Sequence, residues 1–311
     1  MAYISKISCI IVTYNAEKWV DKCFDCLAKS TEKVEIVVVD NNSTDNTINH
    51  IKQICPTAHI IANKVNKGFG QANNQGIEYA YKNGCEHFFL LNQDAYVRTD
   101  TVEKLVRAQK ENGYEIVSPI HLNGDGSKID HGFMAYVKID NVCDDIISDS
   151  LLHTPRANYN VSYVNAACWM ISRNAIETIG GFDPLFFHYG EDRNYCQRLN
   201  YHNGILAVIP DCFVHHDRLF YGHAEVYNSR KVISSLLVEH ANVNKGLFSI
   251  DMERIKKHVA LWRDLLVSVV TLRFKNAYNI MKGFFVMYSS VLKISHSISI
   301  NQKKAFNWLN I

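Results

Sequence analysis

The chain has 311 residues, 47% hydrophobic and 21% charged, which excludes wholesale disorder and allows one large α/β domain with an appendage. Its net charge of +2 conceals two parts of opposite sign: residues 1–217 carry 19 Lys and Arg against 26 Asp and Glu, and residues 218–311 carry 14 against 5. The two parts are therefore expected to meet different partners. Nucleic acid is not one of them, because no recognised binding motif accompanies the basic part. Nine cysteines without framework spacing read as free thiols in a reducing compartment. Cys23 and Cys26 fit a CxxC pattern, but no second pair completes a metal site, so they read as two helix positions. The amino terminus enters a strand with no signal-peptide pattern, and no apolar run reaches the roughly 18 residues of a membrane span.

In chain order, Ile7–Thr13 is a nearly continuous apolar run, the mark of a strand buried on both faces. A helix follows with Trp19, Val20, Cys23, Phe24 and Leu27 on one stripe. Val34–Val39 is a second strand. Ser43 or Thr44 is placed to cap a helix that turns Ile48, Ile51 and Ile54 inward. Ala58–Ala62 is a third strand, Gly68–Tyr81 a helix stopped near Asn83-Gly84, and His87–Leu91 a fourth strand. Val102, Leu105 and Val106 mark another helix, and Ile116–Pro119 another strand. The alternation predicts an α/β fold, a Rossmann-like and mostly parallel sheet flanked by helices. Residues 121–160 read as a loop or small irregular insert that shapes a substrate site. Tyr163–Ser172 is regular again, a short helix ends at Gly180-Gly181, Glu191–Tyr201 is helical, and Ile205–Ile209 is a strand. Beyond His216 the chain turns helical and basic, a C-terminal helical extension.

In such sheets ligands sit beyond the carboxyl ends of the strands. Those ends carry Thr13-Tyr14-Asn15, Asp40-Asn41-Asn42-Ser43-Thr44-Asp45 and Asn92-Gln93-Asp94. These residues could equally serve only turns and helix caps. Asp40, directly after five apolar residues, needs a donor partner that a base or ribose could supply. Asp94 could hold a hard cation together with phosphate oxygens, with a second ligand from His215-His216-Asp217. The segment Phe182 through Asp192 is the densest. Glu191 and Asp192 open a helix, where acids suit the dipole but can also act as a general base. His188, Tyr189 and other aromatics beside them offer faces to the C–H surfaces of a sugar, and Arg198 lies one to two turns on. The acids at 40, 94 and 192 are expected to meet at one rim of the sheet.

These segments, with Asn66-Lys67-Gly68-Phe69-Gly70, Asn73-Asn74-Gln75-Gly76 and Pro210 through His216, resemble in their order the family 2 glycosyltransferases of the GT-A fold, nearest the rhamnosyltransferase-like branch. The resemblance spans residues 7–217 and implies a catalytic domain over 1–217, with 218–311 as a separate basic region. It implies that Thr13, Asn15, Asp40, Asn42, Lys67, Gly68 and Asn92 serve the nucleotide. Asp94 and His216 would hold a divalent metal, Mg2+ or Mn2+. Asp192 matches the catalytic base, with Glu191 beside it, and Arg198, Tyr189 and His188 would serve the acceptor. Asn92 replaces the first acid of the family's Asp-x-Asp motif, which leaves fewer negative ligands. Cys196-Gln197-Arg198-Leu199 matches the Gln-x-x-Arg-Trp motif of processive synthases only in part, which favours single transfers.

The implied activity is inverting transfer from a nucleoside-diphosphate sugar, of the dTDP-rhamnose or UDP-hexose type, to a hydroxyl of a glycan or lipid-linked acceptor in bacterial surface polysaccharide synthesis. A Rossmann-type oxidoreductase is disfavoured because no glycine loop follows the first strand. A sugar nucleotidyltransferase would want a basic glycine-rich loop, and a catalytically dead scaffold for a membrane assembly would not need the acids. In the basic region, Val259, Leu261, Trp262, Leu265, Leu266, Val269 and Val270 form an apolar stripe among Lys and Arg. That stripe fits an anionic membrane surface, packing on the catalytic domain or subunit pairing equally well. A cytoplasmic protein, or one peripheral on the inner face of the membrane, is the expectation.

Overall fold

The computed structural model describes residues 6–154, 156–218, 229–246 and 251–311. Four strands pair in parallel in the order β3-β2-β1-β4: β1 (Ile7–Thr13), β2 (Glu35–Asp40), β3 (His59–Ala62) and β4 (His87–Leu91). Their side chains alternate between two cores. Ile10, Phe88 and Leu90 face one, while Cys9, Ile11 and Phe89 face the other, so β1, β2 and β4 are apolar on both faces and read as continuous runs. Helices α1 (Glu17–Ala28), α2 (Thr47–Ile54), α3 (Phe69–Lys82) and α4 (Thr101–Asn112) supply the covering layers. The stripe of α1 is buried through Val20, Cys23, Phe24 and Leu27. Two details of α2 differ from expectation. Its N-cap position is Asn46 rather than Ser43 or Thr44, and Ile51 is buried while Ile54 is 40% exposed.

Beyond β4 the sheet becomes mixed. A short β5 (Ala95–Val97) and a longer β6 (Ile116–Asn123) precede two helices, α5 (His131–Val137) and α6 (Val142–Leu151), and a two-residue β7 (Tyr159–Asn160). Residues 121–160 thus contain two helices where a loop or irregular insert was expected, with Phe133, Val137, Val142 and Ile146 packed into the core. After β8 (Cys168–Ser172) come α7 (Arg173–Ile179), α8 (Glu191–Tyr201) and β9 (Leu206–His216). The path is β3-β2-β1-β4-β8-β6-β9-β5, with β7 on β9. β8 is antiparallel to both β4 and β6, and β5 is antiparallel to β9. The strand expected to end at Ile209 continues through Pro210 to His216. A register shift after Pro119 lets Ile120 pair with Phe213, a bulge that accommodates a residue unable to donate to the ladder.

The basic region forms α9 (Ser229–His240), α10 (Met252–Val270), α11 (Phe274–Ser289) and α12 (Val291–Asn301). Packing explains part of it. Leu237, Val238, Ala241, Ile294 and Ile298 close over Phe186, and α9, α10 and α11 share a small core around Leu236, Leu265, Ile280 and Phe284. The last residues return to the sheet domain. Asn307 lies so close to Gly180 (φ +81°) that a Cβ there would be 2.1 Å from its carbonyl oxygen, and Gly181 N donates to that oxygen at 2.8 Å. Gly180-Gly181 therefore ends a helix and also admits the C-terminal strap. All nine cysteines are free. No helix among the described residues is long and apolar enough to cross a membrane.

Candidate functional site

Strand ends β1, β2 and β4 build one rim through hydrogen bonds between their loops. Tyr14 N donates to Gln93 Oε1 at 2.8 Å, Asn15 N to Ser43 Oγ at 2.9 Å and Thr44 N to Asn15 Oδ1 at 2.9 Å. Asp40 is 1% exposed. Its carboxylate accepts from Thr13 Oγ1 at 2.8 Å, from Ser43 N at 2.9 Å and from Ser43 Oγ. The donors sought for Asp40 are thus found within the protein, and Thr13 is consumed in the same network. Asn42 is exposed with φ +70°. Asn41, absent from the expected set, braces the next loop: it donates to Gly68 O at 3.1 Å and accepts from Lys67 N at 3.3 Å.

A cleft of about 330 Å3 opens along this rim, lined by Tyr14, Asn41, Gly68, Phe69, Asn92, Gln93, Asp94, Phe187 and His188 among others. Antiparallel pairing of β5 with β9 sets Ala95 opposite His216, which brings Asp94 Oδ1 to 3.5 Å from His216 Nε2. Arg218 Nε donates to His216 Nδ1 at 3.2 Å, so the ring proton sits on Nε2, toward Asp94. Among the described residues no group of three metal-ligating side chains occurs. The donor set still suits a hard cation in part. Asp94 is a carboxylate, and the buried Asn92 Oδ1 has no hydrogen-bond partner. Two or three oxygens suffice when phosphates complete the shell. His216 joins such a set only with its proton moved to Nδ1, against the Arg218 contact.

The acids opening α8 lie in a neighbouring cavity of about 660 Å3, lined by Tyr136, Tyr163, Tyr189, Glu191, Asp192, Arg193, Arg218 and residues of α9 and α10. The single rim expected for Asp40, Asp94 and Asp192 is therefore two adjoining cavities, with Asp40 sealed beneath one of them. Residues 187–190 divide them, since Phe187 and His188 face the first and Tyr189 and Gly190 the second. They also connect through Asp94, His216 and Arg218. Asp192 accepts from Tyr163 Oη at 3.0 Å and from Arg193 N at 2.7 Å. Burial raises its pKa. Glu191 is pushed up to about 8, first by burial and then by the Asp192 charge, and its buried Oε2 has no hydrogen-bond partner. Burial and the neighbouring carboxylate thus hold the Glu191 proton more tightly, while Asp192 keeps two hydrogen-bond donors, Tyr163 Oη and Arg193 N, on its carboxylate.

Arg198 does not reach an acceptor. It is fully buried and donates to Ile179 O at 2.9 Å and Gly181 O at 2.6 Å, so it holds the α7–α8 turn. Tyr163 and Arg218 were not singled out from the sequence. The signals were a tyrosine at the head of an apolar segment and a base directly after the His pair. Asp183 is a docking residue: it accepts from Asn301 Nδ2 at 2.8 Å and from Ser297 Oγ, which ties α12 beneath the segment that carries the acids.

A mixed sheet with cavities at the carboxyl ends of its strands, closed by a helical extension, is the GT-A arrangement of an α/β protein. The chain belongs to glycosyl transferase family 2, whose model matches residues 8–180. It is 27% identical over 207 residues to a low-salt glycan biosynthesis hexosyltransferase of Haloferax volcanii, covering 64% of this chain and 63% of that one. It is 28% identical over 210 residues to a dTDP-rhamnosyl transferase of Shigella flexneri, covering 67% of each. The match thus spans about two thirds of these relatives. In fold it is similar to a structure of GalNAc-T7 with UDP, GalNAc and Mn2+, at a TM-score of 0.64 and 15% identity, over 99% of this chain and 56% of that one.

Proposed function

We propose that the protein transfers a sugar, with inversion, from a nucleoside diphosphate to a hydroxyl of a glycan or lipid-linked acceptor. The observation that carries this reading is Asp192: a buried carboxylate of raised proton affinity, aimed by Tyr163, beside the strand-end cleft. The donor occupies that cleft, with Asn92, Gly68 and the Lys67 loop along the nucleotide. Thr13, Asn15 and Asp40 act through the loops they brace, and Asn42, exposed beside them, faces the nucleotide. In the adjoining cavity Asp192 takes the proton of the acceptor hydroxyl, and its oxygen attacks the anomeric carbon from the face opposite the diphosphate. The C–O bond to the diphosphate breaks and the nucleoside diphosphate departs. General base catalysis of this kind is worth ~10²–10⁴-fold. Tyr189 and His188 flank the passage between donor and acceptor.

Asp94, with Asn92 and a reoriented His216, would hold a divalent cation, which would supply charge stabilisation to the leaving diphosphate. The dTDP-rhamnosyl transferase relative supports a deoxythymidine-linked donor, and the hexosyltransferase relative supports a hexose as the transferred sugar. Residues 1–217 are the catalytic part in this reading. The outer face of α10 and α11 leaves Trp262, Leu266, Val270, Phe274, Tyr278, Met281 and Phe285 exposed, with Arg263, Arg273 and Lys282 around it. An anionic membrane surface matches both properties. The test incubates the protein with dTDP-rhamnose and UDP-hexoses and an extract of lipid-linked saccharides. Acceptor-dependent release of nucleoside diphosphate, with an inverted anomeric centre in the product, is expected. A retained centre would exclude the single displacement.

A further inference from the structure

Arg230 is the one Lys or Arg among the described residues that line the strand-end cleft, and Asp94 is the one acid. His188 adds no positive charge there at neutral pH, because burial first and the Arg230 charge second lower its pKa. Arg230 comes from α9, outside the sheet. Positions 234, 237, 238 and 241 follow it on the same face of that helix, and each of them is docked. Ser234 Oγ donates to Tyr189 O at 2.7 Å, while Leu237, Val238 and Ala241 close over Phe186. This face of α9 is thus fixed against residues 186–189. Arg230 extends it by one turn and enters the cleft beside Phe187 and His188.

The cavity that holds Asp192 begins on the other side of residues 187–190. A donor sugar that reacts with an acceptor there must point toward that divide. The phosphate that carries the sugar then lies nearest Phe187 and His188, where Arg230 stands. A guanidinium offers paired donors that match phosphate oxygens. As the bond between the anomeric carbon and the phosphate oxygen breaks, its electron pair stays on that oxygen, and a fixed cation beside it stabilises the growing charge. We infer that Arg230 binds the sugar-bearing phosphate of the donor, so that the helical extension completes the donor site. The inference rests on the reading of the strand-end cleft as the donor site, and it adds to that site a residue from outside 1–217.

Calorimetry on the full chain tests this with two probe pairs, UDP against UMP and dTDP against dTMP. The wild type is compared with Arg230→Gln, Arg230→Lys and Lys231→Gln, and melting temperatures report the folding of each. Lys231 is the control for net charge, because it is the next residue, is exposed and lines the other cavity. A wild-type chain that binds neither diphosphate defeats the donor reading itself, and Arg230 with it. Where a diphosphate binds, Arg230→Gln should weaken it at least ~10-fold, since a charged hydrogen bond is removed. The monophosphate, which lacks the sugar-bearing phosphate, should lose less. Arg230→Lys should recover part of the loss, and Lys231→Gln should stay within about threefold of wild type, as a solvent-screened charge does. Unchanged diphosphate affinity in Arg230→Gln, equal losses for diphosphate and monophosphate, a loss that Arg230→Lys does not lessen, or a matching loss in Lys231→Gln would each overturn the proposal.

Discussion

Gly68 stands where the loop before α3 meets the aromatic segment ahead of α8, and both line the strand-end cleft proposed for the donor. Its φ is +81°, and a Cβ there would lie 1.9 Å from the Phe187 carbonyl oxygen. A carbon–oxygen contact relaxes near ~3.4 Å, so against 1.9 Å the Gly68→Ala chain must part by roughly 1.5 Å. With ψ at 170°, Gly68 sits in a positive-φ region essentially reserved for glycine, which costs alanine about 1–3 kcal/mol, and forced displacement of packed backbone adds about 1–3 kcal/mol. Gly84 is the control: its φ is +78°, but nothing lies within 4 Å of its Cβ, so Gly84→Ala carries only the backbone cost. Urea unfolding should show Gly68→Ala less stable than Gly84→Ala by more than about 1 kcal/mol. Titration calorimetry should show nucleoside diphosphate binding weakened about tenfold or more in Gly68→Ala alone, because misplacement on the ångström scale is costly. Equal stability of the two variants with unchanged nucleotide affinity would refute the reasoning.

Three further outcomes are expected. Asp183→Ala strips Ser297 and Asn301 of their buried acceptor and should cost about 2–3 kcal/mol in urea unfolding, with faster proteolysis near α12; unchanged values would remove Asp183 as the tie. Glu191 holds its proton to about pH 8 in the folded chain and to about 4.3 when unfolded. Its contribution is therefore full below the lower value and lost as pH rises through the upper one. Glu191→Gln should flatten the fall in stability across that window, and an unaltered pH slope counts against a buried, protonated Glu191. Trp262→Ser/Phe285→Ser should reduce flotation with phosphatidylglycerol vesicles severalfold, by loss of buried apolar area; equal flotation argues against a membrane-facing surface.

Much of the fold was legible because both faces of β1, β2 and β4 are buried, so their apolar runs stand out without knowledge of neighbours. The antiparallel insertion of β8 was not, since Cys168–Ser172 has the same apolar pattern in either direction. Pro210 read locally as a strand end, yet the bulge opposite Pro119 carries β9 past it. The helices of 131–151 lie among Gly and Asp clusters, and their short apolar faces emerge only against β6 and β7. At the site, strand-end positions pointed to Asn92 and Asp94, and the family resemblance to Gly68, all of which line one cleft, while the helix-start acids pointed to Asp192, which lines the neighbouring cavity. The sequence could not show that Thr13 and Ser43 satisfy Asp40, that Arg198 is walled in by the carbonyls of 179 and 181, or that Asn307 docks on Gly180-Gly181. Those are contacts between distant segments, and no local period records them.

The division of labour between the two cavities is tested most directly by Asp192→Asn, assayed for turnover and for nucleotide affinity on the same preparation. The amide keeps the shape and the Tyr163 contact but cannot take the acceptor proton, so turnover should fall at least ~100-fold while the nucleoside diphosphate dissociation constant stays within about threefold. Turnover close to wild type, or a matching collapse of nucleotide binding, would contradict a base that stands apart from the donor cleft.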